Sequence, residues 1–129
     1  ILPLKIQVPK NCAFFLGDIT DKKLLMEISA KGGGKADAVV SDIAPNISGV
    51  AFADAYRSYE LANLAFESCA HLLKQDGNFL AKIFPGDEFE GFVKKLKMNF
   101  KTVRVVVPEA TRKTSSERYI VCIGYKNEK

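Results

Sequence analysis

The stretch that decides the fold is residues 75–86, with the sequence QDGNFLAKIFPG. Gln-Asp-Gly is typical of a turn, the apolar run over residues 78–84 predicts a buried strand, and Pro85-Gly86 ends it. A long helical pattern precedes this strand, and another apolar run, residues 36–41, precedes the helix. Strand, helix and strand in this order form a β-α-β unit, which predicts an α/β fold with a mostly parallel sheet.

The predicted long helix carries one apolar stripe and begins with Asp54 as its N-cap. Its buried positions follow the spacing of a single helix face: Leu61, Leu64, Ala65, Ser68, Cys69, Leu72 and Leu73. Before it, we predict a short strand over residues 12–16 and a helix capped by Thr20 that ends at the three glycines of residues 32–34. After it, Asp87 and Glu90 resemble a capping box that opens a further helix.

Two more strands are predicted at residues 101–107 and 118–125. The loop between them is too short for a crossover helix, so the two strands must be antiparallel if they are neighbours. The last strand would then begin at the edge where the parallel strands end, which is where sheets of this class bind ligands. Glu117 would therefore join Asp18, Asp42 and Lys82 on one rim of the sheet.

Composition limits the class of protein. A chain of 129 residues with 47% hydrophobic content predicts a single domain over residues 1–129. The net charge of +4 favours a polyanionic partner. Three cysteines without CxxC spacing and a single histidine, His71, argue against a disulfide framework or a metal site. The apolar runs are too short for a membrane span, so we expect no membrane partner. The cysteines are expected to be reduced, which favours a reducing compartment, cytoplasmic or alternatively mitochondrial.

Three segments carry a resemblance to a known family: residues 41–49 (SDIAPNISG), 81–86 (AKIFPG) and 115–119 (SSERY). In order and spacing they resemble the FtsJ/RrmJ family of S-adenosylmethionine-dependent ribose 2′-O-methyltransferases, and the similarity runs from about residue 17 to residue 126. The resemblance implies a Rossmann-like methyltransferase sheet with an antiparallel last strand. It also implies that Asp42, Lys82 and Glu117 belong to the family's catalytic Lys-Asp-Lys-Glu tetrad.

The resemblance assigns further roles. S-adenosylmethionine is the implied cofactor, bound through Asp18, Ile19, Asp42 and Pro45, and no metal is required. The SDxAPNxSG form points to large-subunit ribosomal RNA, or the ribosomal subunit, as the partner. RNA contacts are expected from the following residues: Arg112 and Lys113 in the loop before Glu117, and Asn46 and Ser48 in the loop after Asp42. Turn chemistry explains Asn46 and Ser48 equally well.

The neighbours of Lys82 bear on its predicted role. It could act on the ribose hydroxyl as a base or as an ammonium that stabilises negative charge. Carboxylates at Asp42 and Glu117 would favour the charged form and raise the pKa of Lys82, unless burial or a second lysine opposes them. We expect Asp42 and Glu117 to orient Lys82, with Lys82 indispensable and Glu117 less so.

Two family features lack a counterpart before Asp18: the Gly-rich cofactor loop and the first lysine of the tetrad. The resemblance therefore implies the C-terminal part of a catalytic domain that lacks its first two strands. Alone, it should bind S-adenosylmethionine weakly, and its exposed strand edges would favour self-association. Two alternatives stay open: a noncatalytic RNA-binding remnant, and a 2′-O-methyltransferase acting on tRNA or an mRNA cap.

Overall fold

A computed structural model describes residues 9–43, 47–108 and 117–126 of the protein. The helices and strands along these residues occur in the following order: α1 (Lys22–Lys31), β1 (Ala36–Ser41), α2 (Ala51–Leu72), β2 (Leu73–Ile83), α3 (Phe89–Asn99), β3 (Phe100–Val106) and β4 (Arg118–Tyr125). The β1-α2-β2 unit predicted from the sequence is confirmed.

The strands form one mixed sheet in the order β1-β2-β4-β3. β1 and β2 are parallel, whereas β4 is antiparallel to both β2 and β3. β3 consequently runs in the same direction as β1 and β2. The predicted α/β class and the antiparallel last strand are both confirmed, and the start of β4 lies at the edge where β1 and β2 end.

The core lies between β2 and the helices α2 and α3. Phe79, Ala81 and Ile83 alternate along β2 and are at most 1% exposed, while the residues between them face the other side of the sheet. Aromatic rings fill the space above them. Phe79 and Phe100 stack with ring centroids 6.2 Å apart, and the ring of Phe66 lies 6.2 Å from both. This packing fixes β2, and with it the position at which β2 ends.

β2 begins earlier than the turn chemistry predicts. Residues 75–77 were expected to form a turn, yet the strand runs through them from Leu73. Asp76 adopts a left-handed backbone conformation with φ 68°, and the pairing between β1 and β2 shifts register in this region. The segment is therefore an irregularity within a strand, which uses the same residue types as a turn.

The predicted strand at residues 12–16 is wrong. Those residues form no strand, and all of them except Phe15 are exposed. No strand in the described parts of the chain pairs with them, and an apolar run gains no ladder hydrogen bonds without a neighbour.

Two helix starts also differ from prediction. Asp21 rather than Thr20 caps α1, by accepting a hydrogen bond from the N–H of Lys23. Glu88 occupies the N-cap position of α3 without a side-chain cap bond, so the predicted capping box is wrong. Both differences are within the usual uncertainty of a helix boundary.

α2 begins at Ala51, before its predicted cap. Asp54 lies in the first turn, and its carboxylate accepts hydrogen bonds from the N–H of Ser48 at 3.0 Å, the hydroxyl of Ser48 at 2.7 Å and the N–H of Gly49 at 3.3 Å. The hydroxyl of Ser48 in turn accepts from the N–H of Val50 at 3.1 Å. Asp54, in the first turn of α2, therefore holds the two loop residues Ser48 and Gly49 in place just before the helix begins.

Candidate active site

Strand register places three charged residues side by side. Ser41 at the end of β1 pairs with Ala81, so Asp42 follows at the level of Lys82 on the neighbouring strand. On the other side of β2, Arg118 at the start of β4 pairs with Ile83, and Glu117 directly precedes it. Lys82 thus lies on the central strand with one carboxylate on each side.

The side chains meet. Nζ of Lys82 lies 2.9 Å from Oδ1 of Asp42 and 3.4 Å from Oε2 of Glu117. The three side chains differ in exposure: Lys82 is 14% exposed, Glu117 25% and Asp42 64%. The lysine is therefore held between the strands, while the carboxylate of Asp42 remains open to solvent and to any bound molecule.

This arrangement raises the pKa of Lys82 above its ordinary value. The hydrogen bond that Lys82 donates to Asp42 is the largest cause; burial acts in the opposite direction, and the negative charge of Glu117 adds to the increase. Lys82 is consequently an ammonium at neutral pH. Such a group donates hydrogen bonds and stabilises negative charge, but it cannot accept a proton until it has lost one.

Comparison with known proteins now identifies the family. The model of the FtsJ-like methyltransferase family matches residues 2–125. The chain belongs to this family.

Three relatives are named "Ribosomal RNA large subunit methyltransferase E". The protein from Methanothrix thermoacetophila is 42% identical over 105 residues, which are 81% of this chain and 41% of the relative. The protein from Variovorax paradoxus is 41% identical, over 98% of this chain and 56% of the relative. The protein from Delftia acidovorans is 40% identical, over 95% of this chain and 57% of the relative. The chain spans about half the length of the relatives it matches.

A solved structure shares the fold. The crystal structure described as a ribosomal RNA methyltransferase from Plasmodium falciparum superimposes with a TM-score of 0.66 at 24% sequence identity. The match covers 85% of this chain and 57% of that one. It shows that the FtsJ-like chain has the Rossmann-like architecture expected from the resemblance.

Of the residues predicted to bind the cofactor, Asp18 and Ile19 lie in the loop before α1. The Asp18 carboxylate accepts hydrogen bonds from the N–H and the hydroxyl of Thr20, at 2.9 and 2.8 Å, and these bonds lower the pKa of Asp18. Ile19 packs against the core. Asp18 thus remains ionised and exposed, and a carboxylate has acceptor capacity beyond the two bonds to Thr20. This chemistry fits an adenine amino group, which is a donor.

The RNA-binding roles of Ser48, Asn46, Arg112 and Lys113 stay predictions. Ser48 is engaged with Asp54, so its place in the structure is explained by the start of α2. Asn46, Arg112 and Lys113 lie outside the described residues, as does Pro45, which was predicted to bind the cofactor.

A cleft at the edge of the sheet where β2 ends was not predicted from the sequence. It has a volume of about 420 Å³ and lies between the first turns of α2 and the loop that joins β2 to α3. Phe52 and Tyr56 line one wall, and Pro85 and Gly86 line the other. The i, i+4 spacing of two aromatic residues at the start of a helix was the available signal, because such residues share a face.

Two further properties concern the described residues alone. Within residues 9–43, 47–108 and 117–126, no group of three or more His, Cys, Asp or Glu side chains could hold a metal ion. None of the helices over the same ranges is sufficiently long and apolar to cross a membrane.

Proposed function

We propose that this chain carries the catalytic centre of an enzyme that transfers a methyl group from S-adenosylmethionine to a ribose 2′-hydroxyl of large-subunit ribosomal RNA. The observation that supports it most is the position of Lys82, held between Asp42 and Glu117 at the ligand-binding edge of an FtsJ-like sheet. The names of the relatives support ribosomal RNA as the substrate.

In this proposal Lys82 acts as an ammonium. Its Nζ donates a hydrogen bond to the ribose oxygen and stabilises the negative charge that develops there as the hydroxyl proton departs. Asp42 and Glu117 hold the amine at fixed angles, which limits the rotation of a long side chain and aligns the oxygen for in-line attack. The exposed carboxylate of Asp42 offers the hydroxyl proton a route to water. When bound, S-adenosylmethionine supplies a methyl group activated by a sulfonium.

The remaining assignments follow from the same proposal. Asp18 and Asp42 would hold the cofactor through its donor groups, with Ile19 and Pro45 beside them. Arg112 and Lys113 would contact RNA phosphates, with Asn46 beside the substrate. On the basis of the free thiols of Cys69 and Cys122 we propose a reducing compartment, the cytoplasm or alternatively the mitochondrion.

Ribose methylation in a deletion strain tests the function. Total RNA from the deletion strain and its parent is mapped for 2′-O-methyl groups, which protect the adjacent phosphodiester from alkaline cleavage. The proposal expects one or more protected positions in large-subunit rRNA to be lost and then restored by the complete gene product. Loss in tRNA or at an mRNA cap, or no loss anywhere, would contradict it.

A further inference from the structure

The cleft between α2 and the β2–α3 loop has rigid walls. The N–H of Phe84 donates a 2.9 Å hydrogen bond to the hydroxyl of Ser58, a residue that is 2% exposed, and this ties α2 to the end of β2. A Cβ placed on Gly86 would lie only 2.6 Å from Cβ of Ala55, so only glycine permits the observed approach of the two walls. The cleft therefore exists before any ligand binds.

Ring contacts connect Tyr56 of the aromatic wall to the core. The rings of Tyr56 and Tyr59 lie 6.0 Å apart, and Tyr59 makes an edge contact at 5.7 Å with Phe92 of the core. Tyr56 is nevertheless 47% exposed, and Phe52, one turn earlier on the same helix face, is 78% exposed. Two large rings on one helix face are thus exposed to solvent, and an aromatic side chain has few rotatable bonds to immobilise, which are the properties of a stacking surface.

The charge of the cleft limits what can occupy it. Asp87 and Glu88 line the wall opposite the aromatic rings. Two carboxylates repel a phosphate, so the cleft is unsuited to the RNA backbone. They accept hydrogen bonds from amino and imino groups, which occur on the edges of nucleobases. A flat, uncharged ring with N–H donors at its edge can stack on the aromatic wall and donate hydrogen bonds to the carboxylates of the other wall.

The cleft lies at the same edge of the sheet as Lys82, the end of β2. Pro85 follows Lys82 by three residues, so their Cα atoms are at most roughly 11 Å apart even if the chain is fully extended. Sequence-specific proteins recognise RNA mainly through unstacked bases laid on aromatic side chains. Because the Lys82 side chain faces the side of the sheet away from the core that packs on α2, an RNA strand would have to cross this edge of the sheet to place a ribose beside Lys82 and a base, its own or that of an adjacent nucleotide, against Phe52 and Tyr56.

We propose that this cleft binds an unstacked nucleobase of the substrate RNA, at or next to the methylated nucleotide. Phe52 and Tyr56 stack on the base, while Asp87 and Glu88 accept hydrogen bonds from its edge. Phe52 and Tyr56 are then specificity residues that select which nucleotide presents its ribose to Lys82. This inference rests on the proposed function for the identity of the ligand, but the binding of a base can be measured separately.

The test uses the complete gene product that contains this chain, with three variants at Phe52 and one control. Phe52→Ala removes the ring, Phe52→Leu keeps apolar volume without the ring, and Phe52→Tyr restores a ring. Met98→Ala is the matched control, because Met98 is also 78% exposed but lies at the end of α3, away from the cleft. Thermal unfolding of each variant establishes that it folds, as expected for changes at exposed positions.

Two readouts are compared. The first is quenching of a 2-aminopurine base in a single-stranded oligoribonucleotide, which reports stacking directly. The second is methyl transfer to large-subunit rRNA that lacks the modification, analysed as separate kcat and KM values for RNA together with the Kd of S-adenosylmethionine. We expect Phe52→Ala and Phe52→Leu to weaken oligonucleotide binding and raise KM for RNA about tenfold, with kcat and the cofactor Kd retained. Phe52→Tyr and Met98→Ala should match the parent protein.

Each other result decides a separate point. Unchanged quenching and an unchanged KM for RNA in Phe52→Ala would contradict the proposal that the cleft binds a nucleobase, while leaving the proposed function intact. A weakened cofactor Kd with unchanged RNA binding would also overturn it, since the occupant would be the adenine of the cofactor. A parent protein that transfers no methyl group but quenches 2-aminopurine through Phe52 would support the cleft and overturn the proposed function.

Discussion

Nζ of Lys82 lies 2.9 Å from Oδ1 of Asp42, although one residue lies on a central strand and the other follows the edge strand beside it. The contact exists because the parallel register of β1 and β2 places the two residues at the same level. Lys82 is largely buried and Asp42 is largely exposed, so the pair faces outward from the sheet edge.

Asp42→Asn should lower the pKa of Lys82, because the hydrogen bond to Asp42 is the largest cause of its increase. A lysine whose pKa rises on folding stabilises the folded protein, and this stabilisation is complete when the pH is below the ordinary lysine pKa of about 10.4. It is lost as the pH rises through the folded-state pKa. The variant should therefore be less stable at neutral pH, and the difference should narrow above about pH 10.4. Urea unfolding of the variant and the parent from neutral to alkaline pH measures this difference in the free energy of unfolding.

Asp37→Asn is the matched control for this change. Asp37 pairs with Lys74 at 3.0 Å, but its side chain is 90% exposed and the lysine is 55% exposed. Exposed pairs contribute little to stability. A pH-independent difference for Asp42→Asn, equal to that of Asp37→Asn, would contradict the coupling between Asp42 and Lys82.

Asp54→Ala should loosen the loop that leads from Asp42 into α2. The Asp54 carboxylate accepts from the hydroxyl and N–H of Ser48 and the N–H of Gly49, and these bonds lower the pKa of Asp54. A carboxylate whose pKa is lowered on folding stabilises the folded protein when the pH is above the ordinary pKa of an aspartate. This stabilisation is lost as the pH falls through the folded-state pKa. The protection of Ser48 and Gly49 from amide hydrogen exchange, expressed relative to the intrinsic rate at each pH, should fall in the variant, and in the parent protein at low pH. Unchanged protection of both amides in the variant and at low pH would show that the Asp54 carboxylate does not hold this loop.

Gly86→Ala should destabilise the protein by about 1–3 kcal/mol, because the new methyl would lie 2.6 Å from Cβ of Ala55 and force two backbone segments apart. Gly91→Ala is the control: nothing lies within 4 Å of its added Cβ, and it is the third residue of α3. That change should stabilise by about 0.5–1 kcal/mol. Thermal unfolding of both variants measures the difference, and equal effects would refute the close approach.

Cys12 should be the reactive thiol among the three cysteines of this chain. Burial raises the pKa of Cys69 and Cys122 to about 12, whereas Cys12 is exposed. Only the thiolate reacts with iodoacetamide, so peptide mass spectrometry after labelling near neutral pH should find Cys12 modified and the other two protected. Equal labelling of Cys122 in the folded protein would show that β4 is not buried as described.

The sequence predicted the charged cluster because its position depends on strand direction alone. Parallel strands that end at Asp42 and Lys82, and an antiparallel strand that begins after Glu117, must bring these residues to one edge. The run at residues 12–16 was mispredicted because apolar content does not reveal whether a pairing partner is present. The cleft was missed for a related reason. Its two walls come from α2 and the β2–α3 loop, and only the folded structure shows that they are adjacent.

The most direct test of the central claim is the turnover number of Lys82→Ala in the complete gene product, measured with S-adenosylmethionine and unmodified large-subunit rRNA. If Lys82 stabilises charge on the ribose oxygen, kcat should fall by roughly 10²–10³-fold or more, as when a preorganised donor is removed, while RNA and cofactor affinities stay near those of the parent. Glu117→Gln should cost less than Lys82→Ala, because Asp42 still holds the amine. Near-normal turnover in Lys82→Ala would contradict the assignment.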